Sequence, residues 1–205
     1  ELIKFLIHVD TAFVSVTNLQ GFNMACALHA LGKEVVIVSS DEVFLNQILD
    51  EETGALLKQI VEGKGIRVVL DSCVEEILGD TEVKAVKLGS GKVIAAQMIV
   101  FDSMALDLKF LEGDEGYQLI EDEYFTNNYQ NRSWSFGFNV LDGFCFGVTK
   151  IPEGGREYLN FDGPSNIFKK IYALGDVLIG TILFNAPADK ENLVKVIIQK
   201  EPIVG

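Results

Sequence analysis

Arginine is nearly missing from this chain: Arg67, Arg132 and Arg156 are the only three in 205 residues, and the formal net charge is −13. A surface that acidic repels phosphate backbones, which argues against a nucleic-acid partner, and its simplest role is solubility. Cysteine is as sparse. Cys26, Cys73 and Cys145 are odd in number, far apart and without zinc-like spacing. They read as reduced thiols of a cytoplasmic protein, not as a disulfide frame or a redox pair. His8 and His29 stand near no second ligand pair, so no metal site is expected. No apolar run approaches the ~18 residues of a membrane span, and no membrane partner is expected. The first residues lack the basic, apolar and small-residue pattern of a signal peptide. Glu1 is not a start methionine, so the chain reads as a processed or trimmed product.

What is present is the alternation of an α/β fold. Apolar residues make up 48% of the chain and charged residues 23%, the balance of a globular protein. Ala12 to Val16 reads as a buried strand, Gly21 to Leu31 as a helix and Glu34 to Val38 as a β-branched parallel strand. Asp50 starts a second helix that ends at Gly63, and Ile66 to Leu70 follows as a strand. Val83 to Leu88 and Lys92 to Ala95 flank Gly89-Ser90-Gly91 as a hairpin, and Met98 to Phe101 returns as a strand. Beyond an acidic, amide-rich stretch, Phe138 to Leu141 and Phe144 to Phe146 surround the turn signal Asp142-Gly143. Tyr158 to Phe161, Ile167 to Ala173 and Val177 to Phe184 continue a meander, which a helix opening at Pro187 closes.

With those elements placed, the chain resembles the FAD-dependent pyridine nucleotide-disulfide oxidoreductase superfamily, in its NADH oxidase, rubredoxin reductase and nitrite reductase branch. ALHALGKEVVIVSSDEVFL, LDEETGALLKQIVEGKGIRVVL and SCVEEILGDTEVKAVKLGSGKVIAAQMIV carry the likeness to the NAD-binding insert. EDEYFTNN is similar to the segment that re-enters the FAD domain, and FKKIYALGDVLIGTILF to the C-terminal domain. The resemblance implies a Rossmann-like NAD-binding-type domain with an antiparallel β excursion, followed by a small α+β domain. On that division, residues 1–108 are a degenerate NAD(P)-binding-type domain and 109–136 a linker or crossover remnant of an FAD domain. Residues 137–205 are then the small C-terminal domain of the interface type. The family's N-terminal FAD half is absent, and YQNRSWSF stands where a later Ala-Gly-Asp motif belongs.

Laying the family's Gly-x-Gly-x-x-Gly on the chain puts Val16, Asn18 and Gly21 at the three glycines. Val16 is stiff where a tight turn is needed. Asn18 brings a Cβ and an amide to the pyrophosphate side, although Asn tolerates a left-handed turn. Gly21 is retained, for close packing of helix on strand. The glutamate two positions on is Asn23, the ribose-binding acid after the second strand is Ser39, and the glycine facing the nicotinamide is Met104. The start of the helix, with Asn18 and Gln20 as donors, still offers unpaired N–H groups to an anion. These seven positions are the candidate cofactor site, and neither a catalytic residue nor a metal ligand is identified.

The resemblance thus implies an NAD(P)H-dependent flavoprotein oxidoreductase-like protein with a degenerate nucleotide site, inactive as this chain alone. The alternative is a non-catalytic structural or interaction subunit of the same descent. No cofactor is expected in the chain itself: NAD(H) would bind weakly, and FAD would come only from a missing half or a partner. Asp71, Glu75 and Glu76 read as a solvated acidic face. The aromatic stretch Trp134 to Phe146 reads as core, with an exposed subset as a docking surface for a protein partner or a homodimer through the C-terminal domain.

Overall fold

The computed structural model describes residues 6–102 and 133–203. Its first unit is a parallel sheet in the order β3–β2–β1–β7, formed by β1 (Thr11–Ser15), β2 (Glu34–Val38), β3 (Arg67–Val69) and β7 (Met98–Phe101). Helix α1 (Leu19–Ala30) connects β1 to β2, and α2 (Glu51–Gly63) connects β2 to β3. Side-chain alternation explains why these strands are apolar on both faces. Ala12, Val14, Val35 and Ile37 pack with Phe22, Ala25, Leu57 and Val61 of the two helices. Phe13, Val36 and Val38 point the other way, onto Val86, Leu88 and Ile94. Those last three belong to an antiparallel sheet of β4 (Val74–Gly79), β5 (Val83–Leu88) and β6 (Val93–Ala95). The expected hairpin is therefore the second half of a three-stranded excursion. The acidic residues of β4 hid its strand character, because Glu75 and Glu76 face solvent, Glu75 pairing with Lys87 at 3.0 Å.

The second unit is an antiparallel sheet in the order β10–β11–β12–β9–β8. Its strands are β8 (Ser133–Phe136), β9 (Gly143–Gly147), β10 (Gly155–Asp162), β11 (Ile167–Leu174) and β12 (Val177–Phe184), and α3 (Pro187–Gln199) closes it. The sheet starts at Ser133, ahead of the expected start at 137. The two-residue Asp142-Gly143 hairpin does not form. Residues 138–141 are a loop that buries Val140 and Leu141, and the Leu141 N–H donates to the Gly137 carbonyl. Burial of two apolar side chains from an irregular loop outweighed the turn signal. Phe144, Phe146 and Leu183 pack under Ile197 of α3. The opposite face joins the first unit's core through Phe136, Phe168, Tyr172 and Phe184. Helices α1 and α2 thus lie between two sheets. No helix among the described residues is long and apolar enough to cross a membrane.

An ion cluster pins α2 to the second sheet. Asp50 caps α2 by accepting from the Thr53 N–H at 2.9 Å, and accepts from the Tyr172 hydroxyl at 3.1 Å. The Lys170 ammonium, 2% exposed, lies 2.9 Å from Asp50 and 3.3 Å from both Glu52 and Glu157. Burial works against ionisation of Asp50, but Lys170 and Thr53 outweigh it and hold the carboxyl below its ordinary range. Asp50→Ala is expected to cost about 2–3 kcal/mol, since it removes a cap and leaves a buried ammonium under-compensated. A depressed folded-state pKa stabilises above the unfolded value and is lost below it. Wild-type stability should therefore fall as pH drops below about 3.9, and Asp50→Asn should lack that part of the slope. Urea unfolding of both chains across the acid range checks this; parallel pH profiles contradict it.

Candidate functional site

Four of the seven candidate positions, Val16, Asn18, Gln20 and Gly21, lie in the loop between β1 and α1 or in the first turn of α1. Val16 is buried and its N–H donates to the Val38 carbonyl at 2.8 Å, so the chain is still strand-like where a glycine turn was considered. Asn18 does not adopt the left-handed turn. Its backbone is extended, at φ −145° and ψ 177°, and it serves as the N-cap of α1. Its side-chain oxygen accepts from the N–H groups of Gln20 at 2.9 Å and Gly21 at 3.1 Å.

The remaining donors of the loop are taken by a residue the sequence reading passed over. Asp102 follows β7 directly, and β7 pairs with β1 in parallel register through Ser15↔Phe101. That register delivers the Asp102 carboxylate to the loop. It accepts from the Thr17 N–H at 2.5 Å, the Asn18 N–H at 2.9 Å and the Thr17 hydroxyl at 3.0 Å. The N-terminus of a helix favours an anion, and α1 has no acidic residue in its own first turn. Asp102 supplies that charge from the neighbouring strand. The helix start expected to offer unpaired donors is thus engaged by the protein itself, at residues 17, 18, 20 and 21.

Gly21 takes a different meaning as well. A Cβ built there meets Asp102 Oδ2 at 2.3 Å. The glycine makes room for the carboxylate, whereas helix-on-strand packing was its expected purpose. Asn23, in place of a glutamate, accepts from the Gly137 N–H at 2.8 Å and ties α1 to the second sheet. Ser39 is 2% exposed. Its backbone bonds Val69 and Ser72, and its hydroxyl oxygen accepts from the Asp41 N–H at 3.3 Å. Gln20 is exposed, and Met104 lies outside the described residues.

The three cysteines are all free. Cys26 and Cys145 are buried and unpaired, and Cys73 is exposed and unpaired. Burial pushes the Cys26 thiol up to about 12 and the Cys145 thiol up as well, so neither is a thiolate at neutral pH.

The contact between Gly21 and Asp102 makes a sharp expectation. Gly21→Ala in the wild-type chain should cost about 1–3 kcal/mol through overpacking. With Asp102→Ala also present, the same change should be neutral or stabilising, because Ala exceeds Gly as a helix former by about 1 kcal/mol. A double-mutant cycle by urea unfolding reads the difference, and additive effects would refute the contact.

Comparison with known proteins agrees with the architecture. The family model described as pyridine nucleotide-disulphide oxidoreductase matches residues 19–91. A nitrite reductase [NAD(P)H] of Bacillus subtilis is 23% identical over 90% of this chain and 29% of its own length. An NADH oxidase of Methanocaldococcus jannaschii is 30% identical over 39% of this chain and 18% of its own. The chain therefore spans less than a third of either curated relative. Among solved structures, an NAD-dependent persulfide reductase from A. fulgidus superposes with a TM-score of 0.68 at 14% identity, over 98% of this chain and 51% of that one. Residues 19–91 are thus similar in sequence to the pyridine nucleotide-disulphide oxidoreductases, and nearly the whole chain shares a fold with the persulfide reductase.

Proposed function

We propose that this chain is an oxidoreductase-type module whose dinucleotide site has been closed by its own side chains, so that it serves as a structural or protein-interaction part and carries out no redox step alone. The observation that carries the proposal is the Asp102 carboxylate. It accepts three hydrogen bonds from Thr17 and Asn18, where a bound dinucleotide would place phosphate oxygens. Asn18 caps the two donors beyond it. A phosphate entering there would meet a resident negative charge and would have to displace bonds already made.

Three further features support the same reading. Ser39, at the position of the ribose-binding acid, carries no charge and is buried. Asn23 is committed to Gly137. The chain also corresponds to only part of each relative it matches. What these candidate positions share is packing. Val16, Gly21 and Ser39 are all buried, as a scaffold requires.

Titration with NADH and with NADPH, followed through Trp134 or nicotinamide fluorescence, should be flat for the wild-type chain, and saturation in the micromolar range would overturn the proposal. In a chain carrying Asp102→Ala and Asn18→Gly, the four N–H groups are released. Inorganic pyrophosphate should then bind at least about tenfold more tightly than to wild type, the increment that one charge-assisted hydrogen bond supplies. Equal binding by the two chains would show that these side chains are not what closes the site.

A further inference from the structure

At the end of the parallel sheet opposite the β1–α1 loop, where β1, β2 and β3 begin, a cavity of about 190 Å³ opens against β6. Thr11, Glu34, Val36 and Arg67 line it from the parallel sheet, and Val93 and Ile94 line it from β6. Strand register explains the grouping. Thr11 pairs with Glu34, and Val36 pairs with Arg67. Paired residues share a face of the sheet, as do residues two apart on one strand. All four therefore stand on the face of Val36, which packs with Ile94 of β6.

Glu34 and Arg67 are diagonal neighbours on that face, with Cα atoms about 8 Å apart, within reach of long side chains. Both are exposed and carry opposite charges. Other exposed charges of this protein close on each other: Lys58 meets Glu62 at 2.7 Å, Lys87 meets Glu75 at 3.0 Å and Lys169 meets Asp189 at 2.7 Å. Glu34 and Arg67 do not. Their charged atoms stay more than 4.0 Å apart, and neither side chain has an ion pair or hydrogen bond among the described residues. Between them the wall is apolar, with Val36 at 6% and Ile94 at 3% exposure.

A separated cation and anion beside an apolar wall complement a molecule that carries a carboxylate, an ammonium and an aliphatic group. The volume is below the range of about 300–1,000 Å³ that drug-sized ligands occupy, so the ligand is small. A zwitterion also has no net charge, so the chain's −13 does not repel it as it would a simple anion. We propose that this cavity binds a free α-amino acid with an aliphatic side chain. The planar fork of Arg67 takes the carboxylate, Glu34 accepts from the ammonium, and the side chain lies against Val36 and Ile94. The site is separate from the β1–α1 loop, and it adds a ligand to a module whose dinucleotide site is closed.

Titration of the full chain with L-valine, followed by amide-detected NMR, should saturate with a dissociation constant of about 1 mM or tighter. The shifted signals should lie at the starts of β1, β2 and β3 and along β6. Isobutylamine is valine without its carboxylate, and isovalerate is valine without its ammonium. Each should bind at least about tenfold more weakly than L-valine, having lost one charge-assisted contact. Arg67→Gln and Glu34→Gln, both at exposed positions, should weaken L-valine by the same factor, with circular dichroism confirming that each variant is folded. Failure of L-valine to saturate overturns the proposal, as do shifts confined to other parts of the chain. So does a single-charge analogue that binds as tightly as L-valine, or L-valine binding indifferent to either substitution.

Discussion

The arrangement of the β1–α1 corner depends on one carboxylate. Asp102 reaches across from the end of β7 and accepts three hydrogen bonds from the loop at 2.5 to 3.0 Å. Its negative charge sits at the positive end of α1, where an anion lowers the energy of the helix. Around it, Asn18 takes an extended cap conformation and Gly21 is held to a residue without Cβ. The loop is an internal joint between two parallel strands and a helix.

That joint is one of several contacts that tie the α1–α2 layer to the rest of the protein. Asn23 ties α1 to Gly137, and Asp50 and Glu52 of the α2 start meet Lys170. Phe22 extends the connection, with its ring centroid 5.4 Å from that of Phe44 and 6.2 Å from that of Phe136. The rings of Phe168 and Phe184 stack at 4.9 Å deeper in the same core. Both helices are therefore covered on two sides, by the parallel sheet beneath and by the antiparallel sheet above. Polar residues at the helix starts become ties between layers, and the stability they contribute comes from buried, partnered groups.

Much of the architecture is legible from local pattern. The β-branched run Glu34–Val38, the Asp50 cap with its helix through Gly63, the strand Met98–Phe101 and the strand Val177–Phe184 all fall where periodicity and turn residues place them. Local pattern failed where a long-range contact outweighed it. Asp142-Gly143 did not make a tight hairpin because Val140 and Leu141 are drawn into the core. Strand β4 was concealed by Glu75 and Glu76, which suit an exposed strand face but resemble a charged loop.

The candidate site divides along the same line. The sequence by itself determined which groups are absent: two of the three glycines, the acid after β2 and any close pair of cysteines. It also determined the fold, because alternation of apolar residues is a local property that survives changes at a ligand site. Only the tertiary structure decided which groups meet the donors of the β1–α1 loop. Asp102 lies more than eighty residues from Thr17 along the chain, and a single aspartate after a strand has no signature of its own. Parallel pairing of β7 with β1 brings the two within hydrogen-bond reach, and that proximity turns an ordinary side chain into the anion of its own loop.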